Sequence, residues 1–92
     1  NYLVERGAVR RDIRRSLGTE LYPGTALAEG LPLTLRMQIL DATKGCTPLV
    51  NSAVYIWHCD GAGDYSMYNE SVKTETYLRG VQITDENGWV EF

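Results

Sequence analysis

Ninety-two residues, 43% of them hydrophobic and including six tyrosines and two tryptophans, make ordinary globular stock for one small domain and exclude a disordered chain. The net charge of −3 is small, and the basic residues crowd into the first fifteen positions and then thin out, so no cationic stripe is set up and no nucleic-acid partner is expected. No apolar run approaches the roughly 20 residues of a membrane span, and the N-terminus lacks the charged-then-apolar order of a signal peptide; no membrane partner is expected, and any targeting segment is taken to have been removed.

Asn1 to Arg15 mixes Tyr2, Leu3, Val4, Val9 and Ile13 with Arg6, Arg10, Arg11, Arg14 and Arg15 without a clean period, so a short helix and an extended arm both fit. Its arginines read first as a solvated face or as ion-pair partners of carboxylates such as Glu5 and Asp12, and second as a site for an anion. Ser16 to Gly30 carries Gly18, Pro23, Gly24 and Gly30 among short apolar pieces and is expected to be a loop wrapping the domain edge. Residues 1–30 thus form an arm and wrapping loop, and residues 31–92 carry the strands.

Leu33 to Leu40 is the clearest strand, because Leu33, Leu35, Met37 and Ile39 alternate with Thr34, Arg36 and Gln38, giving one core face and one wet face. Asp41 to Ser52 is a connection with Gly45 and Pro48. Next comes Ala53 to Cys59, with Ala53, Tyr55, Trp57 and Cys59 on one face and Val54, Ile56 and His58 on the other. Neither face is plainly polar, so this strand is expected to be internal and to lie antiparallel beside Leu33–Leu40. Asp60-Gly61-Ala62-Gly63-Asp64 then breaks the strand with two glycines free to take φ > 0 and delivers Tyr65 at the mouth of the loop. A tyrosine held there is either packing or a ligand, and on the residues alone packing leads.

Met67 to Thr76 is polar and reads as a surface loop, with Tyr68 simply exposed. Tyr77 to Thr84 resumes β character; Leu78, Arg79 and Gln82 read first as sheet residues with polar outward positions and second as support for a site. Asp85-Glu86-Asn87-Gly88 is a hairpin turn signal, Asn-Gly being the favoured pair for two positive-φ residues, and Trp89 to Phe92 begins another strand with Val90 and Phe92 on one face. Cys46 and Cys59 would sit roughly 20 Å apart at strand rise, beyond the ~7 Å that a disulfide spans, so two small buried thiols are at least as good a reading as a bridge, with a cysteine outside the sequence as a third. Four strands are fewer than the roughly seven of a closed sandwich, and the last stops on an aromatic residue. These residues are therefore expected to be the front part of a larger β domain.

Several of these pieces, in this order, have a counterpart. Val9-Arg10-Arg11-Asp12-Ile13, Leu33 to Asp41, Cys46-Thr47-Pro48-Leu49, the strand Ala53 to Asp60, Gly63-Asp64-Tyr65-Ser66, Leu78-Arg79-Gly80-Val81-Gln82 and Thr84 to Phe92 together resemble the intradiol ring-cleavage dioxygenases, the catechol and protocatechuate dioxygenases, over most of the chain. Trp57-His58-Cys59-Asp60 is closest to the branch that includes secreted members, so the resemblance implies an extracellular location, and otherwise a cytoplasmic one. It implies an all-β antiparallel β-sandwich of prealbumin-like architecture, and a mononuclear non-haem ferric site, Fe(3+), with two tyrosinate and two histidine ligands. Tyr65 matches the first tyrosine ligand; the second tyrosine and a His-x-His pair lie downstream in the family pattern, past Phe92. His58, the sole histidine, matches no ligand position and is expected to be buried, hydrogen-bonded and structural.

The implied activity of the full-length chain is cleavage of a catechol-type ring by O2 between its two hydroxyl-bearing carbons, giving a cis,cis-muconate-type diacid, with Tyr65 staying on the metal as catalytic ligand. The implied partners are a catechol-type aromatic and O2, with a homo-oligomer left open. Physical chemistry agrees with the ligand role, since phenolate is a hard oxygen donor and a bound trivalent cation favours the ionised form. The competing reading is a non-catalytic prealbumin-like module that binds or spaces. Pro48-Leu49, Ala53-Val54 and the Thr84–Gly88 turn suit it, whereas a spacer has no reason to carry Trp57-His58-x-Asp60 and Gly63-x-Tyr65.

Overall fold

Six short strands and three single 3-10 turns make up the regular structure of residues 2–92, the part of the chain described by the computed structural model. The strands are β1 (Arg36–Gln38), β2 (Leu40–Asp41), β3 (Thr47–Pro48), β4 (Ala53–Trp57), β5 (Arg79–Ile83) and β6 (Trp89–Glu91). They pair as β1 with β6, β2 with β3 and β4 with β5, every ladder antiparallel. No α-helix occurs among the described residues. The expected all-β, antiparallel, sandwich-type class is what the chain adopts.

The internal strand is β5, which corrects the expectation for β4. In the β4–β5 ladder Tyr55 lies opposite Val81 and Ile56 opposite Gly80. On the other edge of β5 the Val81 N–H donates to the Ala8 carbonyl at 2.9 Å, and the Arg10 N–H donates to the Val81 carbonyl at 2.9 Å. The arm therefore adds a parallel bridge, Val9 to Val81. β4 has one ladder partner among the described residues, and that partner is not the Leu33–Leu40 segment, which pairs with β6 through β1 and with β3 through Leu40.

Side chains follow from this arrangement, because alternate residues of a strand face opposite ways. Val54 and Ile56 of β4 pack with Ile13, Tyr77, Leu78, Val90 and Phe92 on one face. Tyr55 packs with Tyr2, Ala8 and Val81 on the other. The arm, a 3-10 turn at Tyr2–Val4 and then extended chain, so contributes to both clusters. Its arginines divide between structure and surface. Arg10 donates from Nε and Nη2 to the Arg79 carbonyl, at 3.0 and 2.7 Å, and from Nη2 to the Thr76 carbonyl at 3.0 Å. Arg11 pairs with Glu91 and Arg14 with Asp12, both at exposed positions, where an ion pair contributes little.

The segment expected to be a polar surface loop is anchored at its ends. Ser66 and Thr76 are 1% and 0% exposed. The Leu17 N–H donates to the Thr76 hydroxyl, and the N–H groups of Thr76 and Tyr77 donate to the Ser16 hydroxyl at 3.0 and 3.1 Å. Polar residues can be buried here because each has a partner, and among the described residues no buried side-chain N or O lacks one.

Three further expectations change. The Leu33 strand shortens to β1, and Leu33 and Leu35 are 84% and 40% exposed, because the β1–β6 ladder extends only as far as the Leu35–Phe92 backbone pair; Met37 does reach the core. The Asp85–Gly88 turn forms, but it is a corner between two ladders, not a hairpin. Only Gly88 of the Asn-Gly pair has positive φ, at 82°, and an added Cβ there would lie 2.6 Å from the Ile39 carbonyl oxygen. Finally, both cysteines are free thiols, and Cys46, at φ 60° after Gly45, is exposed rather than buried.

Gly80 is the tightest point between arm and β5, since a Cβ there would meet Ile13 Cγ2 at 2.3 Å. Gly80→Ala is expected to destabilise the fold by roughly 1–3 kcal/mol, the usual range for overpacking. The double variant with Ile13→Ala should lose less than the sum of the two single losses, which denaturant melts of the three proteins measure.

Candidate functional site

Asp60 organises the loop that follows β4. Its Oδ1 accepts the N–H groups of Ala62 and Asp64 at 2.9 and 3.0 Å, and its own N–H donates to the Asp64 carbonyl at 2.8 Å. Its Oδ2 accepts the Tyr77 hydroxyl at 2.7 Å. This bond, followed by the Asp64 N–H, holds the Asp60 carboxyl below the ordinary carboxylate range. Burial first, and the same bond second, push the Tyr77 phenol well above its usual value. Of the two glycines, Gly63 alone takes positive φ, at 85°.

Tyr65 leaves this loop held by its backbone. Its N–H donates to Asn69 Oδ1 at 2.7 Å, and its carbonyl accepts from the N–H groups of Tyr68 and Asn69 at 3.2 and 3.0 Å. The next residue, Ser66, donates its hydroxyl to the Tyr77 carbonyl at 2.6 Å. Its own carbonyl accepts Arg79 Nε at 3.1 Å and Nη2 at 2.7 Å. Arg79 Nη1 reaches across to the Tyr55 hydroxyl at 2.6 Å. Tyr55 stacks on Tyr2, with ring centroids 5.3 Å apart, and tilts against Trp57 at 5.1 Å.

These elements converge on a shallow pocket of about 220 Å³ lined by Trp57, Tyr65, Tyr68 and Arg79. Three aromatic side chains and one guanidinium can receive a flat ring with oxygen substituents. The Tyr65 side chain is on the surface, the residue being 39% exposed, and its hydroxyl has no hydrogen-bond partner among the described residues. That oxygen is free to serve as a donor. Among the described residues no three of His, Cys, Asp or Glu come together, so the oxygen donors this pocket could offer a ferric ion are the phenols of Tyr65 and Tyr68.

A larger cavity of about 350 Å³, mostly apolar and lined by Ile13, Leu35, Ile56, Leu78 and Phe92 among others, does not include Tyr65. His58 lies on its rim. It is exposed, just past the end of β4, and its Nδ1 lies 2.9 Å from the Cys59 carbonyl oxygen; the expected buried histidine is corrected to a surface one.

The family model described as Dioxygenase, that of the intradiol dioxygenase C-terminal domain, matches residues 11–92. The chain belongs to the intradiol dioxygenase family. A chlorocatechol 1,2-dioxygenase of Rhodococcus opacus is 28% identical over 80 residues, covering 75% of this chain and 31% of that protein. This intradiol family member therefore spans less than a third of the length of that curated relative. No solved structure matches it.

Reading the sequence singled out Tyr65 but did not assemble its surroundings. The signal for Trp57 was present, since Tyr55 and Trp57 share a strand face, but the partner was not, because only the β4–β5 register sets Trp57 opposite Arg79.

Asp60 gives a pH prediction with a definite sign. A carboxyl depressed in the folded state contributes stability above its unfolded value of ~3.9, and this is lost as pH falls through the lower folded value. Tyr77→Phe removes the largest cause, so the Asp60 midpoint, followed by carboxyl-carbon NMR, is expected to rise toward the ordinary range. An unchanged midpoint would contradict the assignment.

Proposed function

We propose that this chain provides Tyr65 as one ligand to the non-haem ferric ion of an intradiol dioxygenase, which cleaves catechol-type rings with O2 to cis,cis-muconate-type diacids. The observation that carries the reading is the placement of Tyr65. Its unpartnered phenol lies beside Trp57, Tyr68 and Arg79, on a loop anchored on both sides, in a chain whose family is defined by this chemistry. The relative from Rhodococcus opacus is named for chlorocatechol; at 28% identity only the catechol class is carried over.

When bound, the ferric ion supplies activation of the catechol ring toward O2. The residues of this chain do the rest of what is assigned here. Tyr65 would hold the ion through the phenol oxygen of a side chain that is open to water. Trp57 and Tyr68 line the pocket with aromatic rings against which an aromatic substrate can pack in offset or edge contacts worth about 0.5–1.5 kcal/mol each. On this reading the remaining ligands, a second tyrosine and two histidines, are not supplied by these residues.

Iron analysis and a visible spectrum of the intact protein test the reading. Tyr65→Phe is expected to lower iron content and turnover by at least ~100-fold, beyond the roughly 10–100-fold typical of groups one step removed from a metal. Tyr68→Phe should keep both. A Tyr65→Phe protein with unchanged iron and colour removes Tyr65 from the site.

A further inference from the structure

Arg79 is only partly exposed, and among the described residues it has no carboxylate partner. Withdrawing a cation from water without a counter-charge is costly unless its donors meet fixed acceptors. They do. Nη1 donates to the Tyr55 hydroxyl, Nη2 to the Ser66 carbonyl, and Nε to the Ser66 carbonyl and hydroxyl. Both acceptors are close in sequence to residues that line the pocket: Tyr55 lies two residues before Trp57 on β4, and Ser66 directly follows Tyr65.

The backbone beneath this side chain has little freedom. The Arg79 carbonyl accepts the Tyr2 hydroxyl at 2.8 Å as well as both Arg10 bonds, and the next residue, Gly80, is packed against Ile13. The guanidinium is thus a rigid arm from the best-anchored strand to the peptide just after Tyr65.

We propose that Arg79 is the positioning residue of the Tyr65 loop. Its planar fork ties the Ser66 carbonyl to the Tyr55 hydroxyl, and so sets the phenol of Tyr65 against Trp57 in the pocket. Charge-assisted bonds from a fork to two acceptors give direction as well as strength, and a lysine, one point charge on a flexible stem, cannot reproduce them. Ser66 keeps its own bond to the Tyr77 carbonyl, so losing Arg79 loosens the loop without unfolding the sheet. The role for Arg79 in metal binding rests on the reading of Tyr65 as a ligand; its role in holding the loop does not.

The test compares hydrogen exchange in the iron-free intact protein with iron content after loading, for wild type, Arg79→Lys, Tyr55→Phe and Tyr65→Phe. In Arg79→Lys the amides of Tyr65, Met67 and Tyr68 are expected to exchange about tenfold faster or more, while β4–β5 ladder amides change by less than about threefold. Iron content should fall by roughly 10–100-fold. Tyr55→Phe, which removes one acceptor and keeps the arginine, should show a smaller loop-confined increase, and it keeps the test decisive if Arg79→Lys does not fold. Unchanged loop exchange in folded Arg79→Lys, or in Tyr55→Phe where Arg79→Lys does not fold, overturns the proposal. So does a uniform rise across the chain, because that marks a merely structural arginine. Retained iron in Tyr65→Phe would instead overturn the ligand reading, leaving the exchange result to judge Arg79 as loop anchor.

Discussion

The two-sided pairing of Val81 is the constraint on which the rest of the structure depends. Its neighbours on β5 are bonded to β4, while its own N–H and carbonyl go to the arm at Ala8 and Arg10. Main-chain donors and acceptors taken from water must find partners, and at this strand they find them in segments far apart in sequence. Where the regular pairing ends, Arg10 takes over by capping the carbonyls of Thr76 and Arg79 with its side chain. The two hydrophobic clusters then follow as the two faces of one ladder, each closed by residues of the arm. Remove the arm and both faces of the sheet open together.

The site is built outward from the same strand by polar locks. Tyr77, just before β5, secures Asp60 at the start of the loop, and Arg79, at the first position of β5, secures Ser66 at its far side. Next to these two holds the backbone adopts conformations that it would otherwise avoid. Met67 has φ 64° and Leu78 φ 57°, a region that costs a non-glycine residue roughly 1–2 kcal/mol. Such geometry persists where surrounding bonds over-determine it. The connection at residues 41–52 also holds two such residues, Cys46 and Asn51, but its side chains are largely exposed, whereas Ser66 and Thr76, beside the pocket loop, are buried with their polar groups partnered.

Much of the local structure could be read from the residues. The β-branched and aromatic run Ala53–Trp57, the β character of Arg79–Ile83, the turn at Asp85–Gly88 and the strand at Trp89 all lie where the pattern puts them, and the family was legible in the motifs. Strand partners were not. Alternation says which face a side chain occupies but not which edge meets which, so Leu33–Leu40 was set beside β4 when its true neighbour is β6. Burial failed for a related reason. Leu33 obeys the core pattern yet nothing among the described residues covers it, while Ser16 and Thr76, polar by type, are buried because each is partnered: the Ser16 hydroxyl accepts the Thr76 N–H across 60 positions and donates to Glu75, and the Thr76 hydroxyl accepts the Leu17 N–H. His58 and Cys46 follow the same rule: each lies where regular structure stops. For the pocket, the motif points to Tyr65, whereas the place of Arg79 beside it depends on the register of two strands.

The grip of the arm on β5 also sets an order of events during synthesis. Tyr2, Ala8, Arg10 and Ile13 leave the ribosome before their partners at positions 76–81, which follow some seventy residues later, and the Tyr2–Arg79 bond closes a separation of 77. Contacts this remote in sequence make folding slow, since chain entropy must be given up before they form. Until then the arm's tyrosine and isoleucine stay uncovered on the nascent chain. The arm that closes the second edge of β5 is thus made well before the strand it pairs with.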